Sequence, residues 1–253
     1  PAVICGDLVR TWSEFEQRAA RLAGVFDRYS IGHQSKVAHY LYNGPEYLEA
    51  TFASFKQRAV PVNVNYRYTD AELSYLFANS DAEAIVVDAS FLDHVIRLLP
   101  QLPLVKLVLE VNGSNEDPLP TVPGVAVLRY EPALAEAVPA PRIERSLDDL
   151  WFLYTGGTTG MPKGVMWPHR SLLGTGRPTF KTFGADVPES LDDVAVLASR
   201  VHHEAEPIRL IPAAPLMHGT SAISSWGVLN AAGAVVLLES RSLDPGELLR
   251  VVE

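Results

Sequence analysis

Apolar residues recur along this chain in two alternating rhythms. Phe15, Ala19, Leu22 and Phe26 fall three or four residues apart, directly behind Thr11 and Glu14. A threonine followed three residues later by glutamate can satisfy two orphan helix N–H groups reciprocally, so the pattern predicts an amphipathic helix with a capping box. Residues 37–41 read as a buried strand. Tyr47, Leu48, Thr51, Phe52 and Phe55 mark a second amphipathic helix. Thr69 and Glu72 repeat the capping signal ahead of Leu73, Leu76 and Phe77, and residues 84–87 form the next strand. A helix over 91–99 and a strand over 104–111 follow. Such alternation predicts an α/β fold with a mostly parallel sheet covered by helices.

Between Asn112 and Arg145 the rhythm breaks. Pro118, Pro120, Pro123, Pro132, Pro139 and Pro141 fall in this stretch with Gly113 and Gly124, and a single strand is expected within it, at 125–130. The expected organisation is a first α/β lobe over 1–146, its proline-rich connector beginning near 112, and a second lobe over 147–253, incomplete at its C-terminus. In the second lobe, residues 150–154 form a strand that feeds a glycine-rich stretch, and residues 165–167 leave it as another. The run 186–209 is polar and acidic and reads as a surface excursion. Its His202-His203-Glu204 is no metal site by this reading, because neighbouring side chains on a strand or helix point apart. Residues 210–213 read as strand-like, and a helix is expected after His218.

Composition narrows the class. With 47% hydrophobic and 20% charged residues the chain can bury a sizeable core. It contains no apolar run of the roughly eighteen residues that suggest a membrane span. Cys5 is the single cysteine, which excludes an internal disulfide and fits a reducing cytoplasm. Lys and Arg number 21 against 30 Asp and Glu, a balance of −9 that argues against nucleic acid as the main partner. An anionic ligand must then be drawn by a local site, not by the whole surface.

Such a site is visible at residues 154–164, Tyr-Thr-Gly-Gly-Thr-Thr-Gly-Met-Pro-Lys-Gly. Glycines let main-chain N–H groups approach an anion closely, threonine hydroxyls add donors, and Lys163 supplies a mobile point charge suited to a polyphosphate. The loop is not a Walker A motif, since Lys163 is followed by Gly164 and no Gly-Lys pair occurs. It resembles the phosphate loop of the acyl-adenylate-forming superfamily, which comprises acyl-CoA synthetases, adenylation domains and luciferases. Ten of eleven positions fit, and the departure is Gly156 where the family usually has Ser. Ala214-Pro215-Leu216-Met217-His218-Gly219 resembles the family segment whose histidine borders the acyl and adenylate pocket. Weaker resemblances fall on residues 1–15 and on 60–73, where Pro61, Asn63 and Thr69-Asp70-Ala71-Glu72-Leu73 read as scaffold.

The resemblance implies an ATP-dependent ligase that activates a hydrophobic carboxylic acid as an acyl-adenylate and passes it to CoA, releasing AMP and pyrophosphate. Thr155, Gly156, Gly157, Thr158, Thr159, Gly160 and Lys163 would hold the phosphates. Lys163 and His218 are the catalytic candidates. His218, Gly219, Ser221, Ala222 and Trp226 would border the acid pocket, although the small residues after His218 serve close helix packing equally well. Mg²⁺ would bridge the phosphates, with its acidic ligand beyond Glu253. The family's ribose, adenine and C-terminal lysine signatures are not found before Glu253, so the expectation is the N-terminal part of a longer enzyme, inactive alone. A cytoplasmic location is expected and a homodimer is left open. Transfer to a carrier protein, oxidation of the adenylate and a nucleotide-binding module without catalysis are the alternatives.

Overall fold

The computed structural model describes residues 1–156, 160–204 and 206–252. β1 (Val3–Cys5) and β2 (Leu8–Arg10) lead into α1 (Trp12–Arg28). There follow β3 (Lys36–Tyr40), α2 (Pro45–Lys56), β4 (Val60–Asn63), α3 (Asp70–Asn79), β5 (Ala82–Asp88), α4 (Leu92–Leu98), β6 (Leu107–Val111), β7 (Ala126–Arg129) and α5 (Tyr130–Glu136). The second half holds β8 (Leu150–Thr155), β9 (Lys163–Pro168), α6 (His169–Thr175), α7 (Arg177–Thr182), α8 (Leu191–Glu204), β10 (Arg209–Leu210), α9 (Gly219–Asn230), β11 (Ala234–Leu237) and α10 (Pro245–Val252).

Both expected capping boxes form. The Thr11 N–H donates to Glu14 Oε2 at 2.8 Å and the Glu14 N–H to Thr11 Oγ1 at 3.2 Å. The Thr69 and Glu72 pair repeats this at 2.8 and 3.4 Å. Each cap contributes about 1 kcal/mol.

Seven strands make one sheet in the order β7-β6-β5-β3-β4-β8-β9, parallel throughout except for the last pair. A smaller sheet, β10-β11-β1-β2, joins the first strands of the chain to its later part. The inner strands of the large sheet are buried on both faces, which is why β5 and β6 read as near-continuous apolar runs. Leu48 of α2 packs with Phe15, Phe26 and Tyr130 in one core, whereas Leu73 and Phe77 of α3 pack with Val95 in another. Connections from β3 and β4 thus cover opposite faces, and ligands in open parallel sheets gather at carboxyl ends where connections diverge. Glu49 is buried beneath this arrangement and tied to Arg18 Nε at 2.7 Å and the Tyr130 hydroxyl at 2.8 Å, joining α1, α2 and α5.

Three readings of the chain need correction. The strand expected over 104–111 begins only at Leu107, and Leu104 is exposed in the turn that follows Pro103. The strand-like run 210–213 is strand only at Arg209–Leu210, because Pro212 has no N–H to continue a ladder. The polar stretch 186–209 contains α8, started by Ser190, whose hydroxyl accepts from the Asp193 N–H at 3.1 Å. Leu197 and Val201, one helical turn apart, bury their side chains against Phe180. Polar residues at the two ends of that helix, Asp192-Asp193 and His202-His203-Glu204, mask its apolar stripe.

Candidate active site

β8 and β9 form an antiparallel hairpin with Trp151 opposite Trp167 and Thr155 opposite Lys163. That register places Thr155 and Lys163 side by side where the ladder ends, both exposed. Gly156 is exposed beside them, whereas Gly157, Thr158 and Thr159 lie outside the described residues. Gly160 has φ of +130°, a conformation that side-chain-bearing residues avoid. Gly164 meets a different constraint: a Cβ there would sit 2.8 Å from the Tyr154 ring. Tyr154 is fixed in turn, its hydroxyl donating to Asn79 Oδ1 at 2.8 Å, and burial pushes that phenol up to about 12.

Asn63 anchors the hairpin from the neighbouring strand. Its buried amide accepts from the Tyr154 N–H at 2.7 Å, donates to the Tyr154 carbonyl at 3.3 Å and donates to the Met217 carbonyl. One side chain therefore ties the strand that feeds the glycine-rich stretch to the residue preceding His218. Asn43, just past β3, holds the same incoming segment, accepting from the Leu216 N–H at 2.7 Å and donating to the Ala214 carbonyl at 3.5 Å. Both asparagines sit beyond or at the carboxyl ends of central strands. Neither was singled out from the sequence as a site residue. The sequence reads Asn63 as scaffold, and the Pro61-Val62-Asn63 segment is its only signal.

His218 stands at the N-terminus of α9 in extended conformation, φ −99° and ψ 139°, and its side chain makes no capping bond. The imidazole is exposed, and partial burial together with the Arg67 charge holds it below the usual histidine range. It is therefore neutral at pH 7 and able to accept or donate a hydrogen bond. Beside the 214–217 segment lies a cleft of about 190 Å³, bordered by Asn43, Arg67, Ala214 and Arg241. Two guanidinium groups at its walls suit an anion.

The remaining expected pocket residues divide by face. Gly219 lies against Leu153, where a Cβ would come within 2.8 Å. Ala222 and Trp226 pack on Trp151 and Leu153, with Trp226 edge-on to Trp151 at 4.4 Å between ring centroids. Ser221 is buried on a neighbouring face, while Thr220 and Ser224 are exposed. Gly227 approaches the Thr179 hydroxyl within 3.5 Å of where a Cβ would be, which is close helix packing. Among the described residues no group of three His, Cys, Asp or Glu is placed to hold a metal ion. No described helix is long and apolar enough to cross a membrane.

Comparison with known proteins agrees with this layout. The chain is 36% identical over 230 residues to a medium/long-chain-fatty-acid–CoA/3-oxocholest-4-en-26-oate–CoA ligase of Mycobacterium marinum, covering 89% of this chain and 40% of that protein. It is 38% identical over 232 residues to a 3-oxocholest-4-en-26-oate–CoA ligase of Rhodococcus rhodochrous, covering 90% of this chain and 40% of the relative. It thus spans about two fifths of the length of these curated relatives. Among solved structures, apo MatB from Rhodopseudomonas palustris shares the fold with a TM-score of 0.71 at 22% identity, over 99% of this chain and 44% of that one. One family model, AMP-binding enzyme, matches residues 1–253, a range that takes in the hairpin with its glycine-rich end, the start of α9 and the parallel sheet, and the chain belongs to that family.

Proposed function

We propose that this chain carries the phosphate-handling part of an AMP-forming acid–CoA ligase acting on a fatty or other bulky hydrophobic acid. The observation that carries the reading is the juxtaposition built by Asn63: the hairpin end with Thr155 and Lys163 and the segment ending in His218 hang on one buried amide. A carboxylate is a poor electrophile, and its oxygen is a poor leaving group. Attack of the acid on the α-phosphate of ATP forms a C(O)–O–P bond and releases pyrophosphate. The CoA thiolate then forms the thioester and releases AMP.

In this reading Thr155, Gly156 and Gly160, with Gly157, Thr158 and Thr159, contact the β- and γ-phosphates, and Lys163 neutralises charge that gathers on the departing pyrophosphate. Neutral His218 orients the acid carboxylate at the start of α9, where the helix N-terminus favours negative charge. Mg²⁺ would neutralise phosphate charge when bound. The hairpin offers it no carboxylate, so its protein ligands would come from elsewhere. The names of the two relatives point to medium- or long-chain fatty acids or a sterol-derived acid as the substrate class.

The test is ATP–pyrophosphate exchange by the whole protein against a panel of carboxylic acids, from acetate to long-chain and sterol-derived acids. Exchange stimulated by hydrophobic acids supports the reading. Exchange with none of them, or ADP as product, contradicts it.

A further inference from the structure

A hydroxyl reaches the glycine-rich end of the hairpin from a separate part of the chain. If Gly156 carried a Cβ, the nearest described atom would be Tyr68 Oη, at 4.0 Å. Gly156 is exposed beside the Thr155 and Lys163 pair and supplies no side chain of its own. Its φ lies outside the left-handed region, so its backbone angle does not require glycine. The polar group that stands by this position is therefore the phenol of Tyr68.

Tyr68 is held in that place from two sides. Its N–H donates to the Asn65 carbonyl at 3.0 Å, and the Arg67 N–H donates to Asn65 Oδ1 at 2.9 Å, which fixes the turn that presents it. Thr69 follows directly as the N-cap of α3. The half-buried ring packs on the core that contains Leu73, Phe77 and Tyr154. The hydroxyls of Tyr130 and Tyr154 are spent on Glu49 and Asn79. That of Tyr68 is not sealed in the interior and has no partner among the described residues. Burial, with a smaller contribution from the Glu72 charge, pushes the phenol up from its ordinary value. It stays protonated at pH 7 and above and keeps its proton to donate.

We propose that the Tyr68 hydroxyl is a further donor of the phosphate site, donating a hydrogen bond beside Gly156 to an oxygen of the β- or γ-phosphate of ATP. The inference rests on the AMP-forming reading given above. The proton remains on the phenol throughout, and Tyr68 contributes direction where Lys163 contributes charge. Negative charge on the departing pyrophosphate grows as its bond to the α-phosphate breaks, so a fixed donor there binds the transition state better than the ground state. A hydroxyl held by a packed ring loses little freedom in making that bond.

The experiment measures ATP–pyrophosphate exchange by the whole protein, varying pyrophosphate and a hydrophobic acid in turn. Tyr68→Phe keeps the ring and removes only the hydroxyl. It should slow exchange about ten- to hundredfold, the worth of one hydrogen bond to a charged oxygen, while KM for the acid changes less than about twofold. Adding Gly156→Ser to Tyr68→Phe supplies a hydroxyl from the hairpin side and should recover most of the loss. Adding Gly156→Ala, which brings the Cβ alone, should recover none. Thermal unfolding of each variant monitors the fold, and should Gly156→Ser fail to fold, Tyr68→Phe decides alone. A parent protein without exchange would overturn this inference together with the reading it rests on. Exchange by the parent that Tyr68→Phe matches, a loss that falls equally on KM for the acid, or equal recovery with Ser and Ala at 156 would overturn this inference alone.

Discussion

Asn63 and Tyr154 sit on neighbouring parallel strands, and the side-chain amide of Asn63 engages both main-chain groups of Tyr154, at 2.7 Å to its N–H and 3.3 Å to its carbonyl. Main-chain pairing joins these strands at Val62 and Phe152, so the amide extends the link toward the glycine-rich stretch, where the backbones diverge. The third bond, to the Met217 carbonyl, recruits the segment that ends at His218.

Replacing Asn63 with Leu keeps the number and branching of side-chain heavy atoms and removes all three bonds. Three buried main-chain groups would lose their partner, which should cost about 2–5 kcal/mol of stability. Urea unfolding followed by circular dichroism measures it. A loss below about 1 kcal/mol would show that the strands are held by other contacts.

Gly164→Ala should destabilise the hairpin because the new methyl would meet the Tyr154 ring at 2.8 Å. The ring cannot yield freely while its hydroxyl holds Asn79. The expected penalty is about 1–3 kcal/mol, read as a lower unfolding midpoint. Adding Tyr154→Ala removes the clash, so in the double variant Gly164→Ala should cost much less than it does alone. An undiminished effect of Gly164→Ala in that background would contradict the steric account.

Stability should fall as pH drops from neutral toward 4. Burial holds His39 at about 3 and His169 at about 4, both below the ordinary value of 6.5. Between these values and 6.5 the unfolded chain binds protons that the folded chain does not, so stability is full above 6.5 and declines below it. Each histidine removes about 1.4 kcal/mol per pH unit within its window. Urea midpoints from pH 7 to 5 check this, and His39→Gln should flatten the profile. An unchanged slope would show that His39 is not the group responsible.

Much of the fold was legible because single-residue chemistry decides it. Thr11 and Thr69 announced their helices through their glutamates, and the both-face burial of β5 and β6 showed as near-continuous apolar runs. α8 was missed because the polar groups at its two ends, Asp192-Asp193 and His202-His203-Glu204, dominate the composition of the stretch and obscure Leu197 and Val201. Within the candidate site, the strands on either side of the glycine-rich stretch were legible as 150–154 and 165–167, whereas their antiparallel pairing out to Thr155 and Lys163 is seen only in the structure. The role of Asn63 was not legible, since its partners lie 91 and 154 residues away and only the sheet order brings them together. Trp226 was ambiguous for the same reason: whether a residue on α9 faces a ligand or β8 depends on how the helix is rotated, and the spacing of small residues does not specify it.

In the proposed reaction this hairpin serves ATP cleavage at the α-phosphate. The most direct measurement supplies the whole protein with α-³²P-labelled ATP, CoA and a hydrophobic acid such as decanoate, and resolves the labelled product. The expected product is AMP, formed in step with acyl-CoA, and Lys163→Ala should slow its formation by about 10²–10³-fold while acid binding changes far less. Labelled ADP, or AMP formation at the parent rate in Lys163→Ala, would contradict the account.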